Sequence, residues 1–223
     1  MDNRDFERNT VPTTGQIQNS CITFGGDPSA DFRVLFVGNS ITRHGVAPHL
    51  GWMRDCGMAA SSIEKDYVHL TIAELEKRFK KVCYCITQLA GWEVDTDNPE
   101  VLKNFHEARE FGADLIIIRI GENIPKTVTD TAALSDDFEK MIGYFAVRKG
   151  CRILVTDLFW CRAVIDDAIK QATERVGGVF VRIGDLGEDD TMKAIGEYEH
   201  HGVSIHPGDK GMRYIAERII ENI

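Results

Sequence analysis

The sequence predicts an α/β protein of three layers, in which helices cover both faces of a parallel β-sheet. Short apolar runs alternate with longer amphipathic stretches along most of the 223 residues. The apolar runs are continuous rather than alternating, which is typical of parallel strands that are buried on both faces. Since consecutive parallel strands are joined by right-handed crossovers, this pattern predicts a three-layer α/β/α sandwich.

Five apolar runs predict five parallel strands, at residues 34–37, 82–87, 115–120, 153–156 and 179–183. Helical patterns follow them, at about 67–80, 99–111, 130–149, 162–176 and 208–222. This order of elements favours the flavodoxin-like strand order. The segment 43–66 is long for a strand-to-helix connection and contains Pro48 and three glycines, so we expect extra turns there.

Residues 1–30 are expected to form an irregular arm ahead of one domain at 31–223. The arm is polar, contains two prolines and the Gly25-Gly26 pair, and shows no sustained helical or strand period. The remaining length suits a single domain with a sizeable core.

Composition and charge argue against several classes of function. The chain has 26 Lys and Arg against 35 Asp and Glu, a formal net charge of −9, and no basic cluster that suits nucleic acid. The longest aliphatic run, 115–118, is too short to span a membrane, and the charged N-terminus does not resemble a secretory signal. Six cysteines without a CxxC pair are expected to be reduced. We therefore expect a cytoplasmic protein that binds neither nucleic acid nor a membrane.

Ligands of such sheets bind beyond the carboxyl ends of the strands, and the residues found there suit hydrolysis. Ser40 follows the first strand at a strand-to-helix turn, where a serine can attack a carbonyl if a base is near. His206 precedes Pro207 and the last helix, which would hold the imidazole at the sheet edge. Gly91 and Asn123 follow two other strands and can donate hydrogen bonds to an oxyanion. Taken separately, each residue also has an explanation as turn or helix-cap chemistry.

In chain order these residues resemble the four blocks of the SGNH hydrolases, also called GDSL-type esterases. The blocks read Gly38-Asn39-Ser40-Ile41-Thr42, Gly91, Gly121-Glu122-Asn123 and His206-Pro207. The resemblance covers residues 33–223 and rests on the ordered set. It implies the three-layer fold, Ser40 as nucleophile, His206 as base, and no cofactor. It also implies an oxyanion hole made by the N–H groups of Ser40 and Gly91 and the side chain of Asn123.

Two positions depart from the family pattern. The first block usually has Asp where Asn39 stands, and the family's D-x-x-H places Asp where this chain has Val203. We expect a Ser-His dyad, with a main-chain carbonyl of the 202–204 turn accepting the Nδ1–H of His206. Glu199 is the alternative acceptor. A carbonyl can select the tautomer but stabilises the imidazolium less than a carboxylate does, so reduced activity is expected.

Other residues near strand ends have two readings each. Trp92 and Trp160, with Trp52, could stack on a sugar ring or belong to the core. Glu122 and Asp157 could contact a polar substrate or cap a helix. No metal site is expected, because the histidines show no ligand spacing typical of metal sites; they include His44, His49, His200 and His201.

The sequence therefore predicts a serine esterase that hydrolyses small acyl esters, with acetyl groups on carbohydrate as the first candidate. Two alternatives stay open. One is a weak or inactive relative that binds glycan without cleaving it. The other is a flavodoxin-like module that binds a phosphate or flavin at the turn of residues 38–42.

Overall fold

A six-stranded sheet forms the middle layer of the protein in the computed structural model, which describes residues 21–223. The strands are β1 (Ile22–Gly26), β2 (Phe32–Gly38), β3 (Val82–Gln88), β4 (Leu115–Arg119), β5 (Arg152–Thr156) and β6 (Val179–Val181). Their order is β1-β3-β2-β4-β5-β6. The last five are parallel to their neighbours, which confirms the flavodoxin-like order.

Strand β1 corrects both the five-strand count and the irregular arm. It pairs antiparallel with β3 at the sheet edge, with Ile22 opposite Thr87. The Gly25-Gly26 pair lies inside this strand because a Cβ on Gly25 would fall 2.2 Å from the Cζ of Tyr84. The glycine is thus explained by a close approach rather than by a turn. Residues 1–20 of the predicted arm lie outside the described residues.

Helices cover both faces of the sheet. They are α1 (Tyr67–Phe79), α2 (Ala90–Glu93), α3 (Pro99–Lys103), α4 (His106–Glu110), α5 (Thr131–Phe145), α6 (Ala163–Arg175), α7 (His201–Ser204) and α8 (Asp209–Ile220). Alternate residues of β2 point to opposite faces: Phe36 packs in the cluster with α1 and α8, while Val37 packs in the cluster with α5 and α6. The three-layer sandwich is confirmed.

Several predicted helices have different bounds. The stretch 99–111 is two short helices, α3 and α4, and the helix at 130–149 ends at Phe145. There the backbone of Ala146 leaves the helical region, at φ −84° and ψ 56°, and the chain turns toward β5. Helices α2 and α7 were not predicted because four residues carry no measurable period.

The segment 43–66 contains the expected turns, including 3₁₀ turns at Pro48–Leu50 and Ile63–Lys65. Bridges join His44 to Cys56 and Ala47 to Trp52. Over residues 21–223, no helix is both long and apolar enough to cross a membrane.

Candidate active site

Ser40 and His206 meet at the carboxyl edge of the sheet. The Oγ of Ser40 lies 3.0 Å from the Nε2 of His206. The N–H groups of Thr42 and Arg43 both donate to the carbonyl of Asn39, so the chain turns tightly around Ser40. Only glycine fits at Gly38, because a Cβ there would fall 1.8 Å from the Oγ1 of Thr42. The turn after β2 thus holds the serine hydroxyl toward the imidazole.

The short helix α7 orients His206. The Nδ1 of His206 lies 2.6 Å from the carbonyl oxygen of Gly202, within the turn where the sequence predicted an acceptor. A carbonyl only accepts, so Nδ1 carries a proton, and in the neutral imidazole Nε2 then accepts the Ser40 O–H. Glu199, the alternative acceptor, is exposed. Val203, at the family's acid position, is fully buried in the apolar core.

The predicted oxyanion donors lie at the turns that follow β2, β3 and β4. Among residues 21–223, neither the N–H of Ser40 nor that of Gly91 has a hydrogen-bond acceptor. A Cβ on Gly91 would meet nothing within 4 Å, so this position faces open space. The N–H of Leu89 donates to the carbonyl of Gly38 at 2.7 Å, which holds the first two turns together. The Nδ2 of Asn123 donates to Glu93 at 2.5 Å and keeps a second N–H.

Glu93 is the residue of this region that the sequence analysis missed. Its side chain is fully buried and accepts hydrogen bonds from Asn39, Gly121 and Asn123. Burial, followed by the nearby Glu122 carboxylate, raises the pKa of Glu93 to about 7. Its only signal in the sequence is its place two residues after Gly91, where an acid in a short helix is unremarkable.

A buried ion pair lies beside Glu93. The guanidinium of Arg119, which is fully buried, donates to Glu122 through Nη1 at 2.5 Å and through Nη2 at 3.0 Å. Asn39 joins the two carboxylates: its Nδ2 donates to Glu93 at 2.9 Å and to Glu122 at 2.7 Å, while its Oδ1 accepts from Arg119. The amide therefore supplies the donor that the usual aspartate could not supply.

The tryptophans separate into core and site positions. Trp92 is 1% exposed and packs edge-on against Phe138, so it belongs to the core and does not offer a face to a sugar ring. Trp52 is also fully buried, with its N–H donating to the carbonyl of His44. Trp160 is partly exposed and packs edge-on against His206, with ring centroids 5.1 Å apart. It is the one of the three that borders the dyad.

The two strand-end carboxylates have structural contacts. Glu122 pairs with Arg119 and accepts the N–H of Phe159. Asp157 accepts the N–H groups of Ile183 and Gly184, which begins a 3₁₀ turn. Both therefore fix loops around the site, which agrees with the capping alternative for Asp157.

The remaining histidines and cysteines do not gather into a ligand set. No group of three or more His, Cys, Asp or Glu within residues 21–223 could hold a metal ion. His44 is buried with its Nδ1 at 2.7 Å from the carbonyl of Gly45, and burial lowers its pKa. All six cysteines are free thiols, and Cys56 and Cys85 are buried.

A serine-imidazole pair at the carboxyl edge of a doubly wound sheet, beside main-chain donors, is an arrangement suited to acyl transfer. The fold that carries it is shared with solved hydrolases. No protein-family model matches the sequence, and no curated protein is similar to it. The similarities that were found are to solved structures.

The structure resembles a family two carbohydrate esterase from Cellvibrio japonicus, with a TM-score of 0.56 and 13% identity over 86% of this chain and 60% of that one. A G-D-S-L family lipolytic protein from Veillonella parvula has a TM-score of 0.53 and 14% identity over 85% of this chain and 97% of that one. A putative GDSL-like lipase from Parabacteroides merdae has a TM-score of 0.56 and 16% identity over 88% of this chain and 97% of that one. The predicted SGNH hydrolase resemblance is thus confirmed at the level of the fold.

Proposed function

We propose that the protein is a serine esterase that works through an acyl-Ser40 intermediate. The carrying observation is the 3.0 Å contact between the Oγ of Ser40 and the Nε2 of His206. The tautomer needed for this role is supported by the contact between Nδ1 and the carbonyl of Gly202.

In the first half of the reaction, Nε2 takes the Ser40 proton as Oγ attacks the ester carbonyl carbon. The same nitrogen then gives that proton to the alcohol oxygen as the ester C–O bond breaks. In the second half Nε2 deprotonates a water molecule, which attacks the acyl carbon and releases the carboxylic acid. The proton returns to Oγ, so that enzyme and imidazole end in their starting state.

Charge on the carbonyl oxygen would be stabilised by the N–H groups of Ser40 and Gly91 and by the second N–H of Asn123. In comparable enzymes the loss of one such donor lowers kcat about 10²- to 10³-fold. The Gly202 carbonyl supports the imidazolium less than a carboxylate would, so activated or small esters should be the better substrates.

For the substrate we propose small acyl esters, with acetyl on carbohydrate as the first class to test. Two solved neighbours are described as family two carbohydrate esterases, and the one from Clostridium thermocellum is in complex with cellohexaose. Trp160 could offer its exposed part to a sugar beside His206. A cytoplasmic location, suggested by the free thiols, stays a prediction.

The test is the hydrolysis of p-nitrophenyl acetate across pH about 5–9, the range in which acid-base groups of this kind act. Native protein should show activity that Ser40→Ala and His206→Ala reduce to one common floor, because the two residues act as a unit. His49→Ala is the matched control, since this exposed histidine measures non-specific hydrolysis by imidazole. Equal rates for native protein, Ser40→Ala and buffer would refute the esterase.

A catalytically weak glycan-binding protein is the second candidate, favoured by Val203 at the family's acid position. It predicts a rise in melting temperature with acetylated oligosaccharides but no Ser40-dependent turnover. The flavin-binding alternative is disfavoured, because the Ser40 hydroxyl already lies against His206.

A further inference from the structure

Glu93 holds the turn that carries Asn123 from several directions at once. Its Oε1 accepts the main-chain N–H of Gly121 at 2.7 Å and that of Asn123 at 3.1 Å. Its Oε2 accepts the side-chain amide of Asn123 at 2.5 Å. One carboxylate thus fixes both the backbone and the side chain of the same asparagine.

The same carboxylate also reaches the turn of the proposed nucleophile. The Nδ2 of Asn39, the residue before Ser40, donates to Oε1 at 2.9 Å. Glu93 itself lies two residues after Gly91, at the end of α2. The turns that carry all three proposed oxyanion donors therefore converge on one buried side chain.

The amide geometry at Asn123 limits what Glu93 can be replaced by. A carboxylate oxygen accepts from the amide nitrogen, and this contact fixes which N–H of Asn123 is left for the site. In Glu93→Gln one of the two oxygens becomes an NH₂ group. If that group faces Asn123, two donors oppose each other; if it faces Gly121, the main-chain N–H groups lose their acceptor.

We propose that Glu93 is a positioning residue that aims the side chain of Asn123 as an oxyanion donor. The proposal rests on the proposed esterase function. Glu93 is fully buried and acts only through Asn123 and the turns it joins, without contact to substrate.

The experiment is a double-mutant cycle between Glu93 and Asn123 on p-nitrophenyl acetate, at a pH above the raised Glu93 pKa of about 7, where this side chain is a carboxylate. Asn123→Ala should lower kcat about 10²- to 10³-fold, the usual effect of losing one oxyanion donor. Glu93→Gln should lower kcat about 10- to 100-fold with KM changed less than about twofold. In the Asn123→Ala background, Glu93→Gln should have little further effect, since the group it positions is gone.

Asp157→Asn is the matched control: it also alters a buried carboxylate that accepts two main-chain N–H groups, but it does not contact Asn123. By whatever factor Asp157→Asn changes kcat in the native background, it should change kcat by the same factor in the Asn123→Ala background. If the effects of Glu93→Gln and Asn123→Ala multiply instead, Glu93 does not act through Asn123 and the proposal is overturned while the esterase stands. A native protein without Ser40-dependent turnover would overturn both.

A second measurement does not require Glu93→Gln to fold or the enzyme to turn over. In the ¹⁵N–¹H spectrum of the native protein, one side-chain amide proton of Asn123 should lie downfield and exchange slowly, because it is bound to a buried carboxylate. Assignment by Asn123→Ala identifies the signal. An Asn123 amide with ordinary shifts and fast exchange would show that Glu93 does not hold it.

Discussion

At the scale of single residues, Asn39 shows how one amide organises a buried cluster of charge. It lies between two carboxylates, Glu93 and Glu122, and gives each a donor, while its oxygen accepts from Arg119. An aspartate of the same shape would present a third carboxylate to the first two. Asparagine in place of the family's usual aspartate therefore suits its neighbours in this protein, two carboxylates that accept from its amide and an arginine that donates to it.

Asn39→Asp should destabilise the protein at high pH. The variant removes two donors and adds repulsion between buried carboxylates, which together should lower the free energy of unfolding by about 3 kcal/mol. The repulsion raises the pKa of the new carboxyl in the folded state, so the loss should be largest at high pH and shrink as the pH falls. Urea unfolding at pH 8 and pH 5 measures it.

The control is Asn98→Asp. Asn98 is the N-cap of α3 and accepts the N–H of Glu100, while its Nδ2 donates to Asp95 at 2.7 Å at the protein surface. Aspartate caps equally well, and water screens the repulsion that it would add toward Asp95, so this variant makes the same chemical change without burial. Its free energy of unfolding should change by less than about 0.5 kcal/mol. An Asn39→Asp protein as stable as native at pH 8 would contradict the account of the cluster.

At the scale of elements, α7 replaces the acid of the family pattern with a turn of backbone. The helix is four residues long, and it places the Gly202 carbonyl against His206 while Val203 faces the core. Restoring the acid by Val203→Asp should therefore not restore a triad. It should put a carboxylate into apolar packing, where it is costly to bury.

We expect Val203→Asp to lower the melting temperature and leave kcat/KM for p-nitrophenyl acetate no higher than native. Val203→Asn, of similar size but without charge, separates the effect of charge from that of shape. A tenfold gain in kcat/KM for Val203→Asp alone would show that the side chain can reach Nδ1 after all.

Strands were predictable where both of their faces are buried, because such strands have a continuous apolar sequence, as in β4 and the other central strands. Strand β1 escaped because it is an edge strand with a half-exposed Phe24 and two glycines, which mimic a turn. Helices α2 and α7 escaped because their positions depend on the site contacts they make, not on an amphipathic period.

At the scale of the whole molecule, the gathering of the strand-end residues was predictable because the carboxyl ends of parallel strands lie at one edge of the sheet. That topology brought Ser40 and His206 together across 166 positions of sequence. Glu93 was not predictable, since its role depends on the way three turns converge, and single-sequence spacing does not encode that convergence. The Gly202 acceptor was predicted only as one carbonyl of a three-residue turn.

The buried carboxyl of Glu93 lies near the carboxylate of Glu122, and this should make the free energy of unfolding depend on pH. Glu93 interacts with the carboxylate of Glu122 and with the guanidinium of Arg162, while the guanidinium of Arg119 is paired with Glu122. Its pKa in the folded protein is raised to about 7 by burial and by Glu122. The folded state therefore binds this proton more tightly than the unfolded state does.

Tighter proton binding by the folded state stabilises it. This contribution to the free energy of unfolding is complete below the ordinary glutamate pKa of about 4.3 and is lost as the pH rises through about 7. Glu93→Gln cannot titrate, so its free energy of unfolding should fall less between pH 5 and 8 than that of the native protein, by about 2–3 kcal/mol. Urea titrations of both proteins at each pH measure the difference. Parallel curves would mean that Glu93 binds no extra proton in the folded state across this range, which would contradict the raised pKa.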